Sequence, residues 1–272
     1  MNPSSGRAGP VAPLESRDDP RVACEFRVAL HTELSTPLVA AARDVSVGGL
    51  CVATAYPFAF QSLESVAFEL GQAPLRLRAN GRWQRTDAAS QTVLTGLEFA
   101  PLEARIEDLL WDFVVDTGKD IARFIHRRSA LRGIGLDGAL GIAHASRLRV
   151  LRAGELIYCE GRSGSNSIFI VREGSVTLQV RVRDVRNELL GVVEVGQLFG
   201  GLALLAGVAQ PELAVARTPT RLLEIDERAL NHLARSRPWL APEIAFAVTR
   251  AYGERVRQSL EIARGATGSE VL

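Results

Sequence analysis

The sequence predicts a mainly β protein with helices. An N-terminal antiparallel β-barrel is followed by a linking helix and a C-terminal jelly-roll barrel with flanking helices. Three observations predict it. Short apolar-alternating segments separated by Gly, Pro, Asn or Asp fill residues 23–99, the pattern of an antiparallel barrel. From Leu102 the apolar period changes to three and four, which is helical. Beyond residue 150 a glycine series, Gly154, Gly161, Gly174, Gly196 and Gly200, punctuates short strands, as the corners of a tightly turned jelly roll require.

The first barrel's strands are expected near Ala23–His31, Val39–Val45, Gly49–Ala53, Ser65–Leu70, Leu75–Arg85 and Thr92–Phe99. Residues 1–14, rich in Pro, Gly, Ser and Ala, are expected to be a disordered leader. Ile106, Leu109, Leu110, Phe113, Val114, Thr117, Ile121, Phe124 and Ile125 form one amphipathic stripe. Acidic residues open that helix and Arg123, Arg127 and Arg128 close it, as its dipole prefers. Leu131–Leu140, LRGIGLDGAL, is glycine-rich and reads as a loop or short helix. Strands are expected at Ser167–Val171 and Val176–Val182. A final stripe, Ile244, Val248, Ala251, Tyr252, Val256 and Leu260, packs on the barrel or pairs two subunits. The expected divisions are a leader at 1–14, a first domain at 15–118, a helical linker at 119–140, a second domain at 141–264 and a tail at 265–272.

Composition narrows the function. The chain has 272 residues, 47% of them hydrophobic, enough for one large or two ordinary domains with real cores. A formal net charge of +1 argues against a general nucleic-acid or membrane-surface binder. Cys24, Cys51 and Cys159 have neither disulfide nor zinc spacing. Two of them fall in expected strands, where a thiol packs as a small hydrophobe, consistent with a reducing cytoplasm. No signal peptide and no membrane-spanning apolar run is expected. A P-loop, nucleophile triad or dinucleotide fingerprint is lacking, and His31, His126, His144 and His232 are scattered, so no enzyme is expected.

The chemistry concentrates in two segments. Arg17 and Arg21 stand in RDDPR, ahead of the first strand. Arg43 to Val52 reads RDVSVGGLCV, so Asp44 and Ser46 alternate along a strand end while Gly48 and Gly49 give a tight turn. Alone, RDDPR reads as a solvated polar turn and Asp44 as a turn cap. Together they suggest a site for a ligand bearing phosphate and purine, because arginine grips phosphate bidentately and stacks on flat rings.

Arg17-x-x-x-Arg21 followed by Asp44-x-Ser46-x-x-Gly49 resembles the PilZ domain, the bacterial cyclic di-GMP receptor. Gly81-Arg-Trp83 resembles its long penultimate strand and Gly96-Leu-Glu-Phe99 its closing strand. The resemblance implies that Arg17 and Arg21 hold phosphates and stack on guanine. It implies that Asp44 and Ser46 hydrogen-bond a guanine and its phosphate, with Gly48 and Gly49 leaving room. The ligand is then cyclic di-GMP, with no cofactor.

The second half resembles the cyclic-nucleotide-binding domain, through AGELIYCEGRSGSNSIFIVREGSVTL, VGQLFGGLALLAG and ARTPTRLLEID. The resemblance implies a ribose-binding glutamate after the Phe199-Gly200 pair and a phosphate-clamping arginine later in the cassette. This chain has Gly201 and Gln210 there, with Pro211 next, so the site Gly200, Gly201, Gln210 reads as degenerate. Arg217 is a stand-in one strand too late. The expectation is a cytoplasmic, non-enzymatic cyclic di-GMP effector whose second domain relays the signal or dimerises, with a protein partner or second copy. The alternatives are a dual sensor that also binds a cyclic mononucleotide, a scaffold with two vestigial sites, and an enzyme. The tail GATGSEVL carries no helix-turn-helix, so a complete transcription factor of the cyclic-AMP receptor type is not expected.

Overall fold

The computed structural model describes residues 20–33, 36–87, 91–161, 166–182 and 186–267. The leader 1–14 and Arg17 lie outside the described residues. The first barrel comprises β1 (Val22–Ala23), β2 (Arg27–Thr32), β3 (Leu38–Val45), β4 (Gly49–Thr54), β5 (Leu63–Leu70), β6 (Ala73–Thr86) and β7 (Val93–Phe99). Six of these run in the order β3-β2-β5-β6-β7-β4, and β4 pairs back onto β3, which closes an antiparallel ring and removes its free edges. Val28, Leu30, Val45, Leu50, Val52, Val66, Leu77 and Leu97 fill it.

The strand expected over Ala23–His31 is two pieces. β1 pairs with the end of β3 (Val22 with Val45, Ala23 with Asp44), and β2 pairs with its start after a register offset of one residue. A second offset on β3, between Ala42 and Asp44, faces β4. Such bulges re-aim side chains beside functional sites, and here both lie next to Asp44.

α1 (Ala104–Arg128) and α2 (Gly135–Ala145) follow. The apolar period of α1 runs unbroken past residue 118, with Ile121, Ala122 and Ile125 buried. The segment Leu131–Leu140 is half loop and half helix, because α2 starts at Gly135 and buries Ala139, Ile142 and Ala143. The jelly roll is built from β8 (Arg147–Leu151), β9 (Leu156–Tyr158), β10 (Ser167–Glu173), β11 (Val176–Val182), β12 (Arg186–Val193), β13 (Leu198–Gly200), β14 (Leu213–Ala216) and β15 (Thr220–Asp226). They form two four-stranded antiparallel sheets, β13-β10-β15-β8 and β12-β11-β14-β9. α3 (Leu202–Ala206) interrupts the strands, and α4 (Glu227–Ser236) and α5 (Leu240–Thr267) end the described chain. α5 reaches into the segment expected as tail.

The cores are not separate. One apolar cluster runs from Val28 and Leu50 through Leu110, Ile121 and Ile142 to Ile168, Ile225 and Ile244. A second, around Phe169, Phe199 and Tyr158, lies between the jelly-roll sheets. Ion pairing adds to the join: Arg221 of β15 binds Glu25, in the β1–β2 bulge, at 2.9 Å.

Candidate functional site

Strand register sets the first site. Ala23, Asp44, Cys51, Gly96 and Trp83 are successive direct partners across β1, β3, β4, β7 and β6. Direct partners point to one face of a sheet, and the neighbouring row Val45, Leu50, Leu97 points into the core, so this row lies outside the barrel. At one end, Arg21 Nη1 donates to Asp44 Oδ1 at 3.0 Å, with the Arg21 side chain 27% and the Asp44 side chain 8% exposed. The Arg21 carbonyl oxygen lies 3.1 Å from His144 Nδ1 of α2. A carbonyl only accepts, so that ring nitrogen carries the proton. At the other end Trp83 lies across Gly96: a Cβ there would sit 2.2 Å from the indole Nε1. The Arg85 guanidinium stacks 5.3 Å from the Trp83 ring centre.

The β3–β4 turn is self-contained. Ser46 N and Oγ both donate to Gly49 O, at 2.8 and 3.3 Å. The Gly48 carbonyl accepts from Phe99 N at 3.0 Å. A Cβ on Gly49 would lie 2.3 Å from Leu97 O, so the missing side chain is required by the approach of β7.

Electrostatics identify the region's sign. Burial pushes the Cys51 thiol up to about 12 and Asp44 adds to the shift, while Arg147, Arg21 and Arg85 oppose it. Cys24 is pushed up as well, by burial and then by Asp44. Both thiols are buried and stay protonated, which leaves them inert as nucleophiles.

The second site lies at β13–α3–β14. Gly200 (φ 68°) and Gly201 (φ 85°) both adopt the left-handed region. A Cβ on Gly201 would lie 2.7 Å from Ile168 Cγ1. Gln210 is buried, and its carbonyl accepts from Gly161 N at 2.9 Å. Two residues on, Glu212 is 2% exposed. Its Oε1 accepts from the Tyr158 hydroxyl of β9 at 2.8 Å and the Tyr252 hydroxyl of α5 at 2.7 Å. Arg255 stacks 4.4 Å from the Tyr252 ring centre and donates to Leu198 O at 3.1 Å. Burial, then the Glu212 charge, push both tyrosines up. The rings of Tyr158, Phe169 and Phe199 pack together beside this cluster, Phe169 and Phe199 at 5.1 Å.

Residues 15–116 match the family model of the PilZ domain, and residues 148–237 match that of the cyclic nucleotide-binding domain. The chain is a PilZ domain followed by a cyclic nucleotide-binding domain. No curated protein matches it. Among solved structures it is similar to the catabolite activator protein of Thermus thermophilus, at 25% identity and TM-score 0.43, covering 50% of this chain and 63% of that one. A cyclic nucleotide-binding domain from Methylobacillus flagellatus KT gives 14% identity and TM-score 0.47, covering 54% of this chain and 82% of that one. CLP of Xanthomonas campestris, described as a c-di-GMP responsive global regulator, gives 22% and 0.43, covering 51% and 66%. The chain thus spans less than two thirds of the Thermus protein.

Of the residues expected in the PilZ site, Arg21 and Asp44 come together. Ser46, Gly48 and Gly49 form the turn beneath them, with the Ser46 hydroxyl committed to Gly49 O. Arg217, just past β14, is exposed. His144, in the last turn of α2, is the half-buried partner of Arg21. Sequence reasoning missed Glu212, although its parity was legible: it alternates with Ala214 and Ala216, both buried. Among the described residues no cluster of metal-ligating side chains occurs, and no helix is long and apolar enough to cross a membrane.

Proposed function

We propose that the protein is a non-enzymatic cyclic di-GMP receptor of the cytoplasm, whose cyclic nucleotide-binding domain relays the signal without taking a cyclic mononucleotide. The observation that carries this reading is the Arg21–Asp44 pair at 3.0 Å on the outer face of the PilZ barrel. The pair presents a phosphate-gripping guanidinium and a carboxylate able to accept from a guanine edge. Arg17, four residues earlier in the sequence, would add a second guanidinium. Trp83 and Arg85, three strands away and so roughly 14 Å along the row, offer a second flat platform for a two-base ligand.

The relay reading of the second domain rests on Glu212. A buried carboxylate two residues from the phosphate-clamping position disfavours an anion there, since an uncompensated buried charge is costly. Gln210 supplies no cation, and Gly201 no carboxylate for a ribose hydroxyl. On α5, Phe246 and Val256 are exposed and offer a face for a protein partner or a second copy. The test is a calorimetric panel of cyclic di-GMP, cyclic AMP and cyclic GMP, with product analysis by chromatography. Binding of the dinucleotide alone, without turnover, is expected. Tight binding of a mononucleotide would overturn the relay reading, and turnover the non-enzymatic one.

A further inference from the structure

We propose that the second domain completes the cyclic di-GMP site: Arg147, at the start of β8, contacts a ligand phosphate and is held in reserve by Asp226. The proposal rests on the receptor reading above.

Cys51 belongs to the outer row of the PilZ barrel, yet it is only 3% exposed. What covers that end of the row is the second domain, for β8 packs against β1 and β3. Arg147 opens β8 and Asp44 stands near the end of β3, the strand β8 packs on, and the Asp44 charge acts on the Arg147 guanidinium. Two contacts fix the join on either side of β1. His144 holds the Arg21 carbonyl, and Arg221 bridges Glu25 and Glu173 at 2.9 and 3.0 Å.

The Arg147 side chain is 20% exposed and pairs with Asp226. Asp226 has a separate task, since its Oδ1 accepts from Ala229 N at 2.8 Å and caps α4. It therefore stays in place if the guanidinium turns away. Burial works against the Arg147 charge, but Asp226, Glu224 and Asp44 more than offset it. Arg85 is the converse case, made less basic by burial and then by Arg147, with Arg228 also contributing. Arg147 thus lies within the fields of Asp226, Asp44 and Arg85.

The chemistry of the pair explains why a second cation is needed. Asp44 is 3.0 Å from the Arg21 guanidinium, so a phosphate seated on Arg21 meets a fixed carboxylate at short range. Like charges at that distance repel unless another cation compensates. Arg147 feels the field of Asp44 and comes from the opposing domain. A dianionic ligand gripped from both sides then senses the join between the domains.

The experiment is calorimetric titration of the full chain with cyclic di-GMP. Arg147→Gln is expected to bind roughly tenfold to hundredfold more weakly, the range for a lost charge-assisted contact. Asp226→Asn keeps the helix cap and frees Arg147, so it is expected to bind at least as tightly as wild type. A merely structural ion pair predicts the same loss in both variants, and that result overturns the proposal. Wild-type affinity in Arg147→Gln overturns it alone, whereas no binding by the wild type overturns the receptor reading with it. Should Arg147→Gln not fold, Asp226→Asn decides: weaker binding than wild type contradicts a cation held in reserve.

Discussion

The Tyr252 hydroxyl of α5 donates to Glu212 at 2.7 Å inside the second barrel, fastening the C-terminal helix to the cassette without any ligand. Tyr158 donates to the same oxygen at 2.8 Å. Removing one donor from a buried carboxylate costs about 1–3 kcal/mol. Tyr252→Phe is therefore expected to lower the thermal midpoint and to speed amide exchange over residues 244–258. Unchanged exchange there would show that α5 is held by its apolar contacts and the Arg255–Leu198 hydrogen bond rather than by Tyr252.

The buried thiols and tyrosines make the fold sensitive to alkali. Burial pushes the Cys51 thiol up from its ordinary 9.0 to about 12, making it a weaker acid. A raised acid keeps its proton in the folded state while the unfolded chain loses it, so its contribution is complete below pH 9 and falls as pH rises towards 12. Urea midpoints measured from pH 8 to 11 should fall, and Cys51→Ala should flatten that slope. The same slope in the variant would place the effect on Cys24 and the tyrosines.

Rebuilding a mononucleotide site by Gly201→Glu with Gln210→Arg is expected to fail. Gly201 has φ 85° and its Cβ would stand 2.7 Å from Ile168 Cγ1. A strained non-glycine residue costs of order 1–3 kcal/mol, and Glu212 still opposes the phosphate. Thermal denaturation should show the loss in Gly201→Ala already, and the double variant should give no heat with cyclic AMP. Binding restored by the pair would contradict the steric account.

The barrels and their order were legible because their signals are local: alternation, turn glycines and two short motifs; that Arg21 pairs with Asp44 was not, since the motifs name both residues without their contact. The rest depends on long-range register. Nothing near Cys51 announces that β8 will cover it, and His144 and Arg147 sit more than 120 residues from Arg21. The split of the first strand also escaped the pattern, since a one-residue offset between Ala23 and Arg27 leaves VACEFRVAL strand-like on both sides. Gly49 was legible as a required glycine, but the physical reason is Leu97 O, supplied by a strand nearly 50 residues on.

The most direct measurement is calorimetric titration of the full chain and of Arg21→Ala with cyclic di-GMP. Arg21 is the described half of the arginine pair and the partner of Asp44, so its loss removes a charge-assisted contact worth roughly 1.5–3 kcal/mol. Saturable binding by the wild type and about tenfold to hundredfold weaker binding by the variant are expected. Equal affinities, or no binding by the wild type, would contradict the receptor reading.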